Sequence, residues 1–74
     1  MTDLAGISGK EAMRKFIHLG YAVIRQKGSH VRLKHFNPDS HPPLTIPMHK
    51  EIKVGLMRRL IKDAGVAAEE FLKL

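Results

Sequence analysis

Apolar positions along the chain follow three rhythms in turn, and each rhythm predicts an element. From Gly9 to Leu19, the residues Ala12, Met13, Phe16, Ile17 and Leu19 recur at the spacing of an amphipathic helix. Ser8-Gly9-Lys10-Glu11 has the form of a capping box, with Ser8 capping the amide three residues on and Glu11 reaching back. Gly20 is placed to end this helix in a left-handed conformation. Lys10, Arg14 and His18 recur along a different line and make a basic ridge.

The rhythm then changes to alternation. Tyr21–Lys27 and His30–Phe36 read as two strands joined by Gly28-Ser29, because a type II′ turn needs a positive φ at its first central residue. A two-residue loop sets the register. It opposes Lys27 to His30, Arg25 to Arg32, Val23 to Lys34 and Tyr21 to Phe36 on one face. The other face then pairs Gln26 with Val31, Ile24 with Leu33, and Ala22 with His35.

The residues from Asn37 to Pro43 form a loop by composition, with three prolines among Asn, Asp and Ser. Leu44 to Met48 alternates again as a third strand, and Pro47 restricts it to an edge or a strand end. A second helix is expected from about Ile52 to Ala64. It should turn Leu56, Leu60, Ile61 and Ala64 inward and Lys53, Arg58, Arg59 and Lys62 outward. Gly55 is tolerable there only in the first turn. Ala67 to Leu74 can add a short last helix that places Phe71 and Leu72 on the core. Residues 1–7 carry no strong signal.

The expected fold is therefore α+β, in the order α-β-β-β-α. Two helices cover one face of a three-stranded antiparallel sheet. The covered hairpin face is Ile24, Val31 and Leu33, and the face with His30 looks at solvent. With 74 residues the chain makes one domain, 1–74, whose core is too modest to enclose a substrate cavity. The working site should lie on the surface.

Charge narrows the partners. A net charge of +6 and a pI near 10.1 point to a polyanion. There is no cysteine, which excludes disulfides and thiolate metal sites and suits a reducing cytoplasm, and no apolar run is long enough for a membrane span. Arg25 opposed to Arg32 is unfavourable across a strand pair. Either the long side chains splay into water or an anion normally lies between them. The remaining histidines read differently. His18 belongs to the basic ridge, His35 to the rim of the core and His41 to the loop, and their spacing with His30 and His49 matches no metal-ligand pattern.

Several stretches taken together resemble the HicA family of toxins. They are Ser8-Gly9-Lys10-Glu11, Gly20-Tyr21, Arg25-Gln26-Lys27-Gly28-Ser29-His30, Ile46-Pro47-Met48-His49, and Gly55 with Leu60-Ile61-Lys62-Asp63-Ala64-Gly65. The similarity runs from about Ser8 to Phe71. It implies a fold like that of a double-stranded-RNA-binding domain, an mRNA-cleaving endoribonuclease that blocks translation, and a HicB-type antitoxin as partner. The essential histidine of the family maps onto His30, and the motif after the third strand maps onto Pro47 and His49. Departures are a long 37–43 loop, a short junction from His49 to Gly55, and Leu56 where the family usually has threonine.

That resemblance gives the tip a chemistry. RNA is cut without metal or cofactor when a base takes the 2′-hydroxyl proton and the oxygen attacks the neighbouring phosphorus. A histidine, titrating near ~6.5 when unperturbed, can do this at neutral pH. His30 is the expected catalyst. Lys27, Arg25, Arg32 and Lys34 are expected RNA ligands with Gly28 and Ser29 of the turn, and Lys10 and Arg14 of the ridge extend the binding surface. The acid for the leaving oxygen is open, and His49 serves only if the end of the third strand approaches the tip. An acidic antitoxin would mask the same basic face.

A non-catalytic RNA-binding module of the same fold is the alternative. It would use the first helix and the start of the second, where Lys50 and Lys53 are separated by Glu51 and Ile52. A membrane-surface role fails, because neither helix sets a strongly basic face against bulky aromatics.

Overall fold

A computed structural model describes residues 3–74. The elements are α1 (Gly9–Leu19), β1 (Tyr21–Lys27), β2 (His30–His35), β3 (Leu44–Pro47), α2 (Val54–Ala64) and α3 (Ala68–Leu72). The strands form one antiparallel sheet in the order β1-β2-β3. The α+β class and element order agree with the sequence reading.

Local chemistry explains the first helix. The Glu11 amide donates to Ser8 Oγ at 3.0 Å, and Gly20 closes the helix at φ 118°. Ala12 and Phe16 are buried, whereas Ile17 lies half outside, so the inward stripe is narrower than the sequence suggested. Lys15, on the inward side, is buried as well. Its ammonium donates to the carbonyls of Leu72 and Leu74 at 3.1 Å each, which satisfies the last turn of α3.

The hairpin departs from the expected register in one place. Near the turn, Lys27 faces His30, Gln26 faces Val31 and Arg25 faces Arg32, as expected. Beyond Ile24 the pairs become Val23 with Leu33, Ala22 with Lys34 and Tyr21 with His35. Ile24 is the extra residue of a β-bulge, and a slip of one residue exchanges the two faces beyond it. Ile24, expected under the helices, is 55% exposed, and Tyr21, expected on the open face, is 3% exposed.

Two further corrections concern the ends of elements. The second helix starts at Val54, and its inward stripe is Met57, Leu60, Ile61 and Ala64 at i, i+3, i+4 and i+7 spacing, which leaves Leu56 outside it. Gly55 falls in the first turn, where it costs little. Residues 4–7 are part of the core, since Leu4 and Ile7 are buried and the Ile52 amide donates to the Ile7 carbonyl at 2.8 Å. Phe16 packs on Tyr21 and Phe71, with ring centroids 5.8 and 4.9 Å apart. Val31, Leu33, Leu44 and Ile46 fill the sheet side of the same cluster.

A polar group closes the far end of the core. His35, buried against Tyr21, accepts from the Asn37 amide through Nδ1 at 2.9 Å. Its Nε2 therefore carries the proton, which it donates to the Leu19 carbonyl at 2.9 Å. The His41 ring lies 4.0 Å from that of His35 and bonds to the Ala64 carbonyl through Nδ1 at 2.6 Å. These bonds tie the 37–43 loop to the ends of both long helices.

Candidate nucleic-acid interface

The hairpin tip is a tight turn of the kind its sequence demands. Gly28 has φ 58°, while Ser29, like every other described non-glycine residue, has negative φ. That combination suits a type II′ turn, with positive φ at the first central residue alone. Because Lys27 faces His30 next to the turn, the side chains of the tip keep the expected face.

Register then carries the row across the sheet. His30 opposes Lys27 on one side and Pro47 on the other, and Arg32 opposes Arg25 and Thr45. The Arg32 guanidinium donates from Nη1 to Thr45 Oγ1 at 2.9 Å. Lys34 opposes Ala22 on the same face after the bulge. Arg25, Lys27, His30, Arg32 and Lys34 thus share the uncovered face, and Val31 and Leu33 alternate to the covered one.

The segment after β3 is pinned from three directions. The Met48 amide donates to the Ser29 carbonyl at 2.6 Å, the Gly9 amide to the His49 carbonyl at 2.9 Å, and the Ile52 amide to the Ile7 carbonyl. Pro47 opposes His30 at a position of the edge strand that donates nothing to β2, so its missing N–H leaves the ladder intact as far as Met48 and brings the end of β3 beside the hairpin tip. A groove of about 380 Å³ results. His30 and His49 line it together with Thr45, Pro47 and Glu51, and Lys53 and Leu56 from the start of α2 complete its wall. The condition that the sequence left open, that the third strand's end come near the tip, is met in this geometry.

Lys10 and Arg14 lie elsewhere. With Met13, Ile17 and His18 they line a separate groove of about 480 Å³ along α1, which shares no residue with the first. The sequence-predicted residues therefore divide between two surfaces. Thr45, Glu51 and Leu56 were not among the site residues expected from the sequence, which placed Leu56 in the inward stripe of the second helix and noted it only as a departure from the family's threonine.

Among the described residues, no three His, Cys, Asp or Glu side chains gather as a metal ligand set would. No described helix is long and apolar enough to cross a membrane. Burial, and secondly the Asp63 carboxylate, hold the Tyr21 hydroxyl above its ordinary value of 10.0.

Residues 9–66 match a family model described as HicA toxin of bacterial toxin-antitoxin. A search of curated proteins returned no match.

Proposed function

The chain belongs to the HicA toxins of bacterial toxin–antitoxin systems, and from this premise we propose that it is a metal-independent endoribonuclease acting on mRNA. The observation that supports this reading most is that His30 and His49 line one groove at the edge of a basic sheet face. A cleavage of this type needs a base and an acid on either side of one phosphate, with cations nearby.

In the proposed reaction, His30 takes the proton from a 2′-hydroxyl, and O2′ attacks the adjacent phosphorus. The bond from phosphorus to O5′ breaks, and His49 gives its proton to the departing O5′. The products are a 2′,3′-cyclic phosphate and a free 5′-hydroxyl. Arg25, Lys27, Arg32 and Lys34 neutralise the phosphate oxygens as charge builds on them, and the Gly28-Ser29 turn lets the RNA backbone come close. Lys10 and Arg14 hold RNA on the α1 surface beyond the reacting phosphate.

The partner that silences such a toxin would be a HicB-type antitoxin. An acidic surface fits the face that RNA would use, and covering His30 would block both binding and reaction. The reading is tested by incubating the protein with long unstructured RNA in EDTA and identifying the fragment ends. Cyclic phosphate and 5′-hydroxyl ends are expected. RNA that is bound but left intact would overturn the nuclease reading in favour of a non-catalytic RNA-binding module.

A further inference from the structure

Leu56 is an apolar side chain that the core does not use. It is 37% exposed, whereas Met57 beside it is fully buried. It stands on the wall of the His30 groove, with Pro47 and Ile52, both buried, forming the apolar surface below it. An apolar wall left in water gains by covering with a flat apolar face. The groove also carries polar groups, Thr45 and Glu51 among them.

Two of those groups have fixed orientations. Thr45 Oγ1 already accepts from Arg32, which leaves the hydroxyl proton available to donate. Glu51 accepts from the Gly6 amide through Oε1 at 3.0 Å, which holds the carboxylate in place and leaves its other oxygen open. A flat ring that stacks on Leu56 would therefore meet an acceptor-only carboxylate and a hydroxyl donor along its edge.

We propose that this groove seats one unpaired nucleobase bearing an exocyclic amino group, beside the phosphate that is cut. The inference rests on the RNA-cleaving reading above and adds to it the base that is read. A volume of about 380 Å³ is at the small end of ligand sites and suits a single base rather than a base pair. The basic row of Lys27, Arg25 and Arg32 leads a phosphate backbone to the groove, and Lys53 among its lining residues can meet a neighbouring phosphate. A carboxylate accepts from the amino group of adenine, cytosine or guanine, whereas uracil has no amino group and flanks its single N3–H donor with two carbonyl oxygens that the carboxylate repels.

The test uses short 2′-O-methyl oligoadenylate, oligocytidylate and oligouridylate, which cannot undergo attack by O2′, so binding is read apart from reaction. Fluorescence anisotropy with the wild-type chain should give about tenfold tighter binding of the adenine and cytosine strands than of the uracil strand. Glu51→Gln keeps an oxygen for the Gly6 amide and presents an amide donor, so the preference should disappear or reverse. Leu56→Ala, at an exposed position, should weaken all three strands by a similar factor. Equal binding of the three strands, unchanged by either substitution, overturns the proposal. The same variants are then assayed on unmodified RNA. Cleavage with no base preference leaves the nuclease and removes the base seat; base-selective binding without cleavage keeps the seat and removes the nuclease.

Discussion

The Gly9 amide donates to the His49 carbonyl at 2.9 Å, and nothing larger than hydrogen fits on the Gly9 Cα. A Cβ there would lie 2.7 Å from the Met48 Cα and closer still to the Pro47 carbonyl oxygen. Both obstacles are backbone, so neither can swing aside. The start of α1 thus holds the segment that carries His49 against the hairpin tip. Gly9→Ala should cost about 1–3 kcal/mol in a denaturant titration, as overpacking does. It should also lower RNA cleavage in the fraction that remains folded, because His49 is displaced.

The His49 side chain is exposed, so its removal should leave stability nearly unchanged. His49→Ala is expected to lower kcat by about 10²–10⁴-fold, the range for loss of a general acid. RNA affinity should stay near the wild-type value. The acid's limb of the pH–rate profile should vanish, a change that a purely structural role would not produce.

Arg25 facing Arg32 makes opposite predictions for stability and binding. Arg25→Gln removes a like-charge pair and leaves the bond from Arg32 to Thr45 intact. The melting temperature should rise, corresponding to about 0.2–1 kcal/mol. The slope of log affinity for single-stranded RNA against log salt should become shallower by about 0.7, the share of one phosphate contact. A face that is merely solvated would show the first effect without the second.

Tyr21 gives the fold an alkaline limit. Its hydroxyl donates to the Pro42 carbonyl at 2.9 Å, and burial raises its pKa above 10.0 in the folded chain. Folding therefore favours the protonated phenol. This contribution is complete below the unfolded value and is lost as pH rises through the higher folded value. Tyr21→Phe should cost about 1 kcal/mol at neutral pH. It should also flatten the fall in stability above pH 10, followed by urea midpoints across that range.

Much of this architecture is written locally. Ser8 marks a helix start by the bond its side chain accepts, Gly20 and Gly28 mark ends by a left-handed conformation that few other residues adopt, and the 3.6 and 2 periodicities assign what lies between them. The bulge at Ile24 is not written this way. Val23 and Ile24 are both apolar, so alternation reads equally well with or without one extra residue, and the burial of Tyr21 decides it only in three dimensions. Residues 4–7 show no periodicity because they pack as an irregular segment, held by the 49–52 junction. Leu56 and Met57 exchange roles because both are apolar next to the stripe, and Met57, three and four residues before Leu60 and Ile61, completes its i, i+3, i+4, i+7 pattern. The basic face around His30 was legible, since turn type and register fix it. The company of His49 was not, because it depends on the contact of Gly9 with a strand end some forty residues away.

The central claim is that His30 acts chemically on RNA. The most direct measurement is the single-turnover cleavage rate of unstructured RNA in EDTA, wild type beside His30→Ala, with binding to the same RNA followed in parallel. The account predicts cleavage by the wild type, a loss of at least about 10²-fold in the variant, and similar affinity for both. Equal cleavage by the two proteins, or binding by both with cleavage by neither, would contradict it.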